Sequence, residues 1–248
     1  MSNSPLRICV WSGPRNISTA LMYSFAQRSD TTVVDEALYG HYLSKTPAEA
    51  YHPGSAEIIA TMDNDGERVV RDILLGPYNT PIVFHKQMTH HLVELDWGFM
   101  AQTINVILTR DPVDMLPSYM KNVERPTMVD VGYAKHIKLL NYLRSLGQEP
   151  PVLDSKQVLL NPRKVLTALC EQIGIPFDEA MLTWDAGARL EDGCWAKDWY
   201  HSVHRSTGFG AYRPKSAPFP DSLKPLLAEC LPYYEQLSQL AISGEAAN

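Results

Sequence analysis

Ile8-Cys-Val-Trp-Ser-Gly-Pro-Arg-Asn-Ile-Ser-Thr-Ala-Leu-Met22 is the stretch that decides the fold. It opens with an apolar run, breaks at Ser12-Gly13-Pro14, and resumes as a periodic segment of apolar and small residues to about Arg28. This pattern predicts a buried strand, a tight turn and a helix. A helix N-terminus presents unpaired backbone N–H groups and the positive end of the helix dipole, and both attract anions. The turn is therefore predicted to bind phosphate.

Further apolar runs predict more strands, each followed by helical spacing. The strands are predicted at residues 31–34, 81–84, 103–109 and 151–154, and the helices at about 56–62, 89–95, 112–121, 131–146, 162–174 and 221–240. Strands that alternate with helices indicate an α/β fold, in which helices cover both faces of a parallel sheet. We expect a single domain over residues 1–248, with irregular acceptor or lid regions at about 36–56 and 184–220.

Composition and charge exclude several classes of protein. The chain has 22 basic and 28 acidic residues, a net charge of −6, which disfavours a nucleic-acid partner because such proteins need a basic face. It has no run of about 18 apolar residues and no signal-peptide plan at its N-terminus, so we expect no membrane partner. The four cysteines are scattered, which suggests neither disulfides nor a zinc site and indicates a cytoplasmic protein. A homo-oligomer is compatible with the sequence but not indicated by it.

The turn after the first strand differs from the common nucleotide-binding loops. In Gly-x4-Gly-Lys-[Ser/Thr] the lysine reaches the terminal phosphates and the hydroxyl binds Mg²⁺. Counted from Gly13, those last three positions hold Ser18, Thr19 and Ala20, so the lysine and the metal-binding hydroxyl are missing there. Gly208-Phe-Gly210 lacks the third glycine of a dinucleotide fingerprint. The loop is thus predicted to hold an anion without a metal ion.

The loop resembles that of the sulfotransferases that use 3′-phosphoadenosine 5′-phosphosulfate (PAPS). In that family a loop of the type Pro-[Lys/Arg]-Ser-Gly-[Ser/Thr]-Thr grips the 5′-phosphosulfate, and residues 14–19 match it at four of six places. Asn16 and Ile17 stand where the family has Ser and Gly. A second family block, a strand that ends in Arg with a Ser about eight residues later, is similar to the stretch that holds Arg110 and Ser118. A late Arg/Lys-x-x-Gly loop is similar to residues 205–208.

This resemblance implies a P-loop nucleoside-triphosphate-hydrolase-like fold and a sulfotransferase activity. The enzyme would move a sulfuryl group from PAPS to a hydroxyl or amine of a small acceptor, release 3′,5′-ADP, and need no metal. Fixed cations and backbone donors lower the barrier where charge develops, and Arg15 is the expected catalytic cation. The donor-binding residues that the resemblance implies are Gly13, Pro14, Arg15, Asn16, Ile17, Ser18, Thr19, Arg110, Ser118, Arg205, Ser206, Thr207 and Gly208.

The general base is predicted among the histidines that follow the third strand. The acceptor must lose a proton, and His is the usual base near neutral pH. Family members carry Lys-x-His at this point, whereas here His90 follows Lys86 by four positions, with His85 and His91 beside them. We expect His90 to be the base, with His85 and His91 left open, and Lys86 to stabilise the bridging oxygen.

The sequence also permits other interpretations, one for a short segment and two for the protein as a whole. Asp35-Glu36 closes the second strand, where α/β proteins place ligand-facing loops, although a solvated turn explains these acids equally well. A small-molecule kinase or another nucleotide-dependent transferase would use the same sheet, but would need Mg²⁺ and the missing lysine. A non-catalytic protein that keeps the nucleotide pocket would bind 3′,5′-ADP without turnover.

Overall fold

The fold is built on one parallel β-sheet. The structure, a computed structural model, describes residues 4–245; residues 1–3 and 246–248, which the sequence analysis counts within the same domain, lie outside the described residues. In the described part, the sheet has five strands in the order β2-β3-β1-β4-β5. The strands are β1 (Leu6–Ser12), β2 (Thr31–Asp35), β3 (Ile82–Met88), β4 (Ile104–Thr109) and β5 (Val152–Asp154).

Helices alternate with the strands and pack on both faces of the sheet. The α-helices of the described residues are α1 (Ser18–Phe25), α2 (Tyr39–Lys45), α3 (Ser55–Thr61), α4 (Gly66–Val69), α5 (Pro112–Tyr119), α6 (Met128–Val131), α7 (Tyr133–Ser145), α8 (Ser155–Leu160), α9 (Pro162–Ile173), α10 (Ala196–Trp199) and α11 (Lys224–Ser238). Short 3₁₀ turns lie at Pro47–Ala50, Thr89–His91, Gly98–Gln102, Glu179–Leu182, Val203–Arg205 and Asp221–Leu223, and a π-helical turn lies at Val70–Leu74. Among the described residues, no helix is long and apolar enough to cross a bilayer.

The central strand β1 sends alternate side chains into two separate cores. Ile8 and Val10 are fully buried in the core that includes α1 and α9, whereas Cys9 and Trp11 are fully buried in the core that includes α7 and the end of α11. A strand that is buried on both faces reads as a continuous apolar run, which is the pattern of residues 8–11. The predicted α/β fold with helices on both faces is therefore confirmed.

The register of the sheet brings the loops after several strands to one edge. Ser12, the last residue of β1, lies opposite Met88 of β3 and Leu108 of β4, so these three strands end together. Because β1 lies between β3 and β4, the loop that follows it emerges where the strand order reverses. Ligands of open parallel sheets bind at such a point.

The expectation that residues 36–56 form an irregular region is wrong. Residues 39–45 form α2, and its residues Tyr39 and Leu43 are buried. Tyr42, one turn from Tyr39, is buried with them, so this face has helical spacing. Glycine, tyrosine and histidine suggested a loop, but burial of the aromatic rings stabilises a helix despite modest intrinsic propensities.

The helix predicted at residues 89–95 is also wrong. Strand β3 continues through four residues beyond the predicted 81–84, and only a 3₁₀ turn, Thr89–His91, follows it. Thr89 does not cap this turn, because its hydroxyl is buried without a hydrogen-bond partner. As a consequence, Lys86 lies within the sheet rather than in a loop.

Other helix boundaries differ locally from the sequence expectations. The sequence does not reveal α4 with the π-helical turn after it, nor α8, which Asp154 caps by accepting from the backbone N–H of Lys156 at 2.7 Å. The predicted final helix begins later, at Lys224. It continues through Pro232, which lies on its exposed side.

Candidate active site

A cavity of about 460 Å³ opens at the carboxyl edge of the sheet, and most of the predicted site residues line it. The predicted residues that line it are Pro14, Arg15, Asn16, Ile17, Ser18, Thr19, Lys86, His90, Arg110, Ser118, Ser206 and Gly208. Those of the described residues that were predicted but do not line it are Gly13, Arg205 and Thr207. The sheet edge thus brings together side chains that are up to about 190 positions apart in sequence.

The loop after β1 presents backbone donors to this cavity. Arg15 and Ile17 both have left-handed backbone conformations, with φ of 59° and 62°. Ile17 caps α1 without a side-chain hydrogen bond, and the first turn of α1 contains no acidic residue. The first N–H groups of a helix lack partners within the helix, so this turn offers them to a bound anion.

Asn16 fixes the loop to the neighbouring strand. Its side-chain amide donates to the Leu108 carbonyl at 3.2 Å, and its own carbonyl accepts from the Ser155 hydroxyl at 2.9 Å. The side chain is almost fully buried. Asn16, one of the two residues that depart from the family motif, therefore attaches the loop to β4 and to the start of α8.

Two arginines face each other across the loop. Arg15 donates from Nε to the Ser118 hydroxyl at 3.2 Å and from Nη1 to the Trp199 carbonyl at 3.0 Å. Arg110 donates to the Arg15 carbonyl at 2.6 Å. Burial lowers the pKa of Arg15, and the charge of Arg110 lowers it further. Within residues 4–245 neither guanidinium forms an ion pair with a carboxylate, so together they make an electropositive site.

Lys86 is buried in a different part of the cavity wall. Its ammonium group donates to Asp35 at 2.7 Å, to Tyr200 at 2.6 Å and to Glu36. Burial alone would lower the pKa of Lys86, but the charges of Asp35 and Glu36 outweigh it and raise the pKa. All three ammonium hydrogens are engaged, so the predicted contact of Lys86 with a bridging oxygen is not available in this geometry.

Tyr200 completes this buried network. Its hydroxyl accepts from Lys86, accepts from Trp195 Nε1 at 3.0 Å, and donates to Asp35 at 2.7 Å. The ring also lies 4.9 Å from the Lys86 ammonium. The network joins the ends of β2 and β3 to the segment around α10, and sequence patterns give no signal for such a contact.

Glu36 is the acidic residue of this network that lines the cavity. It adopts a left-handed conformation with φ of 41° and is buried. Burial raises the pKa of Glu36 to about 7, against the opposing effect of the Lys86 charge, while the charge of Asp35 adds to the increase. A carboxyl group with this pKa accepts a proton efficiently at neutral pH. The position of this residue at the end of β2 was the one sequence signal for it.

The three predicted histidines are neutral and buried. His85 lies in β3 and does not line the cavity, and burial lowers its pKa to about 3. Burial also holds the pKa values of His90 and His91 well below the usual range, and neighbouring histidines lower them further. His91 Nε2 is 4.0 Å from a Glu36 oxygen. A ring that resists protonation is a poor general base.

The late motif at residues 205–208 is only partly at the cavity. Gly208 lines it and pairs with Thr183, and a Cβ at this position would lie 2.8 Å from the Leu182 carbonyl oxygen. Ser206 also lines the cavity and accepts from Trp184 Nε1 at 3.1 Å. Arg205 is exposed to solvent. A glycine at position 208 therefore permits the close approach of the Leu182 carbonyl. Arg205 does not line the cavity.

Aromatic rings make up much of the cavity wall. The aromatic residues Tyr39, Tyr119, Trp195, Trp199 and Tyr200 all line it. His52, which the sequence analysis missed, also lines the cavity, and its ring lies near those of Tyr39 and Trp199. A hydrogen bond of 2.8 Å joins its Nδ1 to the Tyr39 hydroxyl. The cavity thus combines aromatic rings with the two arginines.

Comparison with known proteins identifies the family. A family model described as "Sulfotransferase domain" matches residues 6–241. The chain belongs to this sulfotransferase-domain family. Two proteins of Arabidopsis thaliana are similar: "Branched-chain-amino-acid aminotransferase-like protein 2" is 37% identical over 231 residues, and "Branched-chain-amino-acid aminotransferase-like protein 1" is 39% identical over 228 residues. These matches cover 93% and 92% of this chain, which spans only 41% and 40% of the two relatives.

Solved structures of sulfotransferases share the fold. The sulfotransferase from Alicyclobacillus acidocaldarius superposes with a TM-score of 0.55 at 14% sequence identity, with 96% of each chain covered. The sulfotransferase domain from the curacin biosynthetic pathway gives a TM-score of 0.51 at 16% identity, with 94% of this chain and 99% of that chain covered. These neighbours confirm the predicted P-loop-like α/β fold.

The left-handed conformation of Ile17 makes a prediction about stability. Ile17→Ala and Ile17→Gly both remove its contacts with the core, but only glycine adopts a positive φ without steric cost. We expect the Gly variant to be more stable than the Ala variant by about 1 kcal/mol, the reverse of their order within a helix. Urea unfolding of both variants measures this difference. An Ala variant as stable as the Gly variant would contradict the left-handed conformation.

Proposed function

We propose that this sulfotransferase takes its sulfuryl group from PAPS and transfers it to a hydroxyl or amine of a small acceptor, leaving 3′,5′-ADP. The observation that carries the proposal is the pairing of two anion sites in one cavity. One is the N-terminus of α1 with Arg15, whose guanidinium also donates to Ser118, and the other is Arg110, which lines the same cavity. A nucleotide with phosphate groups at both its 5′ and 3′ positions matches two such sites.

The electrostatics around the two arginines fit such a donor. Arg15 is largely buried, faces a second guanidinium, and has no carboxylate among the described residues to neutralise it. A nucleotide with two phosphate groups supplies the missing negative charge, with one phosphate accepting charge-assisted hydrogen bonds from Arg15 and the other from Arg110. A triphosphate nucleotide with Mg²⁺ fits less well, because Thr19 occupies the position of the lysine that would reach its terminal phosphates and Ala20 that of the hydroxyl that would bind Mg²⁺.

The same groups stabilise the reaction. In the transfer, a bond forms between the acceptor oxygen or nitrogen and sulfur, while the bond from sulfur to the oxygen of the 5′-phosphate breaks. Negative charge then develops on that phosphate. Fixed donors at the start of α1 and the Arg15 guanidinium stabilise this charge without reorganisation. Arg15 is thus the proposed catalytic cation.

We propose Glu36, in place of His90, as the group that accepts the acceptor's proton. Glu36 lines the cavity and has a pKa of about 7, whereas burial holds the pKa of His90 well below its usual range. Lys86 and Asp35 position the Glu36 carboxylate and set its basicity, since the Lys86 charge favours its ionised form. Lys86 acts through Glu36 and does not contact the transferred group.

The cysteines support a cytoplasmic setting as part of this proposal. Cys9, Cys170, Cys194 and Cys230 are all free thiols in the structure. Burial raises the pKa of Cys9 to about 12, so its thiol is protonated and unreactive. Free cysteines of this kind are typical of reducing compartments.

Nucleotide binding tests the donor assignment directly. We expect 3′,5′-ADP to raise the unfolding free energy by about 2.7 kcal/mol at a hundred times its Kd, and 5′-AMP, which lacks the 3′-phosphate, to need a higher concentration for the same effect. Thermal unfolding with each nucleotide, and with Mg-ATP, measures this order. Stabilisation by Mg-ATP alone would contradict the proposal and favour a kinase.

Arg110→Ala tests which site holds the 3′-phosphate. Because a charge-assisted hydrogen bond contributes about 1.5–3 kcal/mol, we expect the variant to bind 3′,5′-ADP at least about tenfold more weakly while its affinity for 5′-AMP changes little. Calorimetric titration gives both constants. Arg205→Ala is the matched control, since this exposed arginine does not line the cavity and should leave both affinities unchanged. Equal losses for the two nucleotides would contradict the assignment of Arg110.

The pH dependence of turnover tests Glu36. A base must be ionised to act, so kcat/KM should rise as pH increases through about 7 and level off above it. Glu36→Gln keeps the size of the side chain but accepts no proton, and we expect kcat/KM to fall by about 10²–10⁴-fold with loss of this pH step. His90→Asn serves as the comparison and should keep the step. If the step instead survives in Glu36→Gln and disappears in His90→Asn, the base is His90.

A further inference from the structure

We infer that Ser155, which lies outside the cavity, is a positioning residue of the donor site. Its hydroxyl orients the peptide between Asn16 and Ile17 so that the Ile17 N–H is free to donate to the 5′-phosphate. This inference rests on the proposed function, because it concerns how the loop after β1 holds the same donor. The hydrogen bonds of Ser155 and the conformation of the loop carry it.

The hydroxyl of Ser155 is not used by its own helix. Ser155 follows β5 directly and is the first residue of α8. The start of α8 is capped by Asp154, which accepts from the backbone N–H groups of Lys156 at 2.7 Å and of Gln157 at 3.4 Å. Ser155 is buried and does not line the cavity. Its hydroxyl is therefore left to bond with groups outside α8.

The Ser155 hydroxyl joins two carbonyl groups at the carboxyl edge of the sheet. It lies 2.9 Å from the Asn16 oxygen and 3.0 Å from the Thr109 oxygen, and its single hydrogen is shared between these acceptors. Thr109 ends β4 and pairs with Asp154 of β5, so the sheet holds this residue in place with or without the hydroxyl. Asn16 lies outside the strands and has no such support. The hydroxyl therefore matters most for the loop.

This contact decides where the next N–H group points. The peptide bonds of the described residues are all trans, and in a trans peptide the carbonyl oxygen and the following N–H point in opposite directions. Because the Asn16 carbonyl points at the buried Ser155, the Ile17 N–H points away from it. Asn16 and Ile17 both line the cavity. The Ile17 N–H makes no hydrogen bond to the backbone of another described residue, so it remains available to an anion.

The loop needs such a constraint because its backbone is unusual. Arg15 and Ile17 are both left-handed, a conformation that residues other than glycine rarely adopt. Successive N–H groups in a turn of this kind form a concavity that binds anions. The Arg15 carbonyl accepts from Arg110, and the Asn16 carbonyl accepts from Ser155. Each of these two peptides is thus held by a hydrogen bond from outside the loop.

The positioning role concerns one phosphate of the donor and not the other. Without the Ser155 hydroxyl, the peptide before Ile17 is free to rotate, and the Asn16 carbonyl loses its donor. A 5′-phosphate at the start of α1 would then lose a fixed N–H, whereas a 3′-phosphate at Arg110 would not. A purely structural role for Ser155 predicts no difference between the two phosphates.

The test compares 5′-AMP with adenosine 3′-phosphate, because each carries only one of the two phosphates. We expect calorimetric titration to show that Ser155→Ala binds 5′-AMP about tenfold more weakly than the wild type, as for the loss of one hydrogen bond, while the affinity for adenosine 3′-phosphate changes by less than about twofold. Unchanged binding of 5′-AMP, or equal losses for the two nucleotides, would overturn the inference.

Ser24→Ala is the matched control. Ser24 is a fully buried serine of α1 whose hydroxyl donates to the Met181 carbonyl at 2.6 Å, and it does not line the cavity. This variant removes the same kind of hydrogen bond away from the loop, so it should unfold at a lower temperature but bind both nucleotides like the wild type. If it loses as much affinity for 5′-AMP as Ser155→Ala does, the loss reflects general loosening and the inference fails.

Ser155→Cys separates the hydrogen bond from the volume of the side chain, since cysteine is no smaller than serine but its thiol donates weakly. We expect 5′-AMP to bind this variant nearly as weakly as Ser155→Ala. Adenosine 3′-phosphate should bind it like the wild type, which also shows that the variant is folded. Wild-type affinity for 5′-AMP in Ser155→Cys would mean that packing holds the loop, and would contradict the inference.

The same titrations separate this inference from the proposed donor. If the wild type binds none of the nucleotides, including 3′,5′-ADP, the proposed donor is wrong, and inorganic pyrophosphate then serves as the probe of the loop. Weaker binding of pyrophosphate to Ser155→Ala than to Ser24→Ala would support the positioning role. Equal binding to the two variants, or no binding to the wild type, would overturn it.

Discussion

The buried positive charge of Lys86 is the constraint on which the cavity wall around Glu36 depends. An ammonium group inside the sheet is stable only if carboxylates and hydrogen-bond acceptors surround it, and loss of one partner from such a group costs about 3–5 kcal/mol. Asp35, Glu36 and Tyr200 meet this requirement. Because the partners come from β2 and from the segment after α10, the charge draws these parts of the chain together around the cavity.

The cavity wall around Arg15 and Arg110 is built in the opposite way, because its cations have no carboxylate partners among the described residues. Arg15 and Arg110 are held near each other by hydrogen bonds to carbonyl groups and to Ser118, without a carboxylate to neutralise them in the described chain. The two like charges repel each other, and an anion bound beside them would reduce this repulsion. One cavity therefore contains Lys86, whose charge is paired with carboxylates, together with two guanidinium groups that have no such partner among the described residues.

The sequence predicted the parts of this arrangement that depend on local pattern. The strand, turn and α1 around Gly13 follow from an apolar run, turn residues and helical spacing, and Arg110 lies where a strand end requires it. The Lys86 network was beyond sequence reasoning, because its partners are 50 and 114 positions away and meet only through the sheet register. Burial also lowers the pKa of His90 well below its usual range, and a sequence does not show how far a ring is removed from water. Helix α2 was missed because its stability comes from packed tyrosines rather than from helix-forming residues.

Trp199 contributes to the cavity through both its backbone and its side chain. Its carbonyl oxygen accepts a hydrogen bond from Arg15, while its indole ring stacks on the Tyr119 ring. A main-chain carbonyl is present whatever side chain the residue carries. Substitution of the Trp199 side chain can therefore reshape the aromatic part of the cavity wall while the backbone hydrogen bond that holds Arg15 is kept.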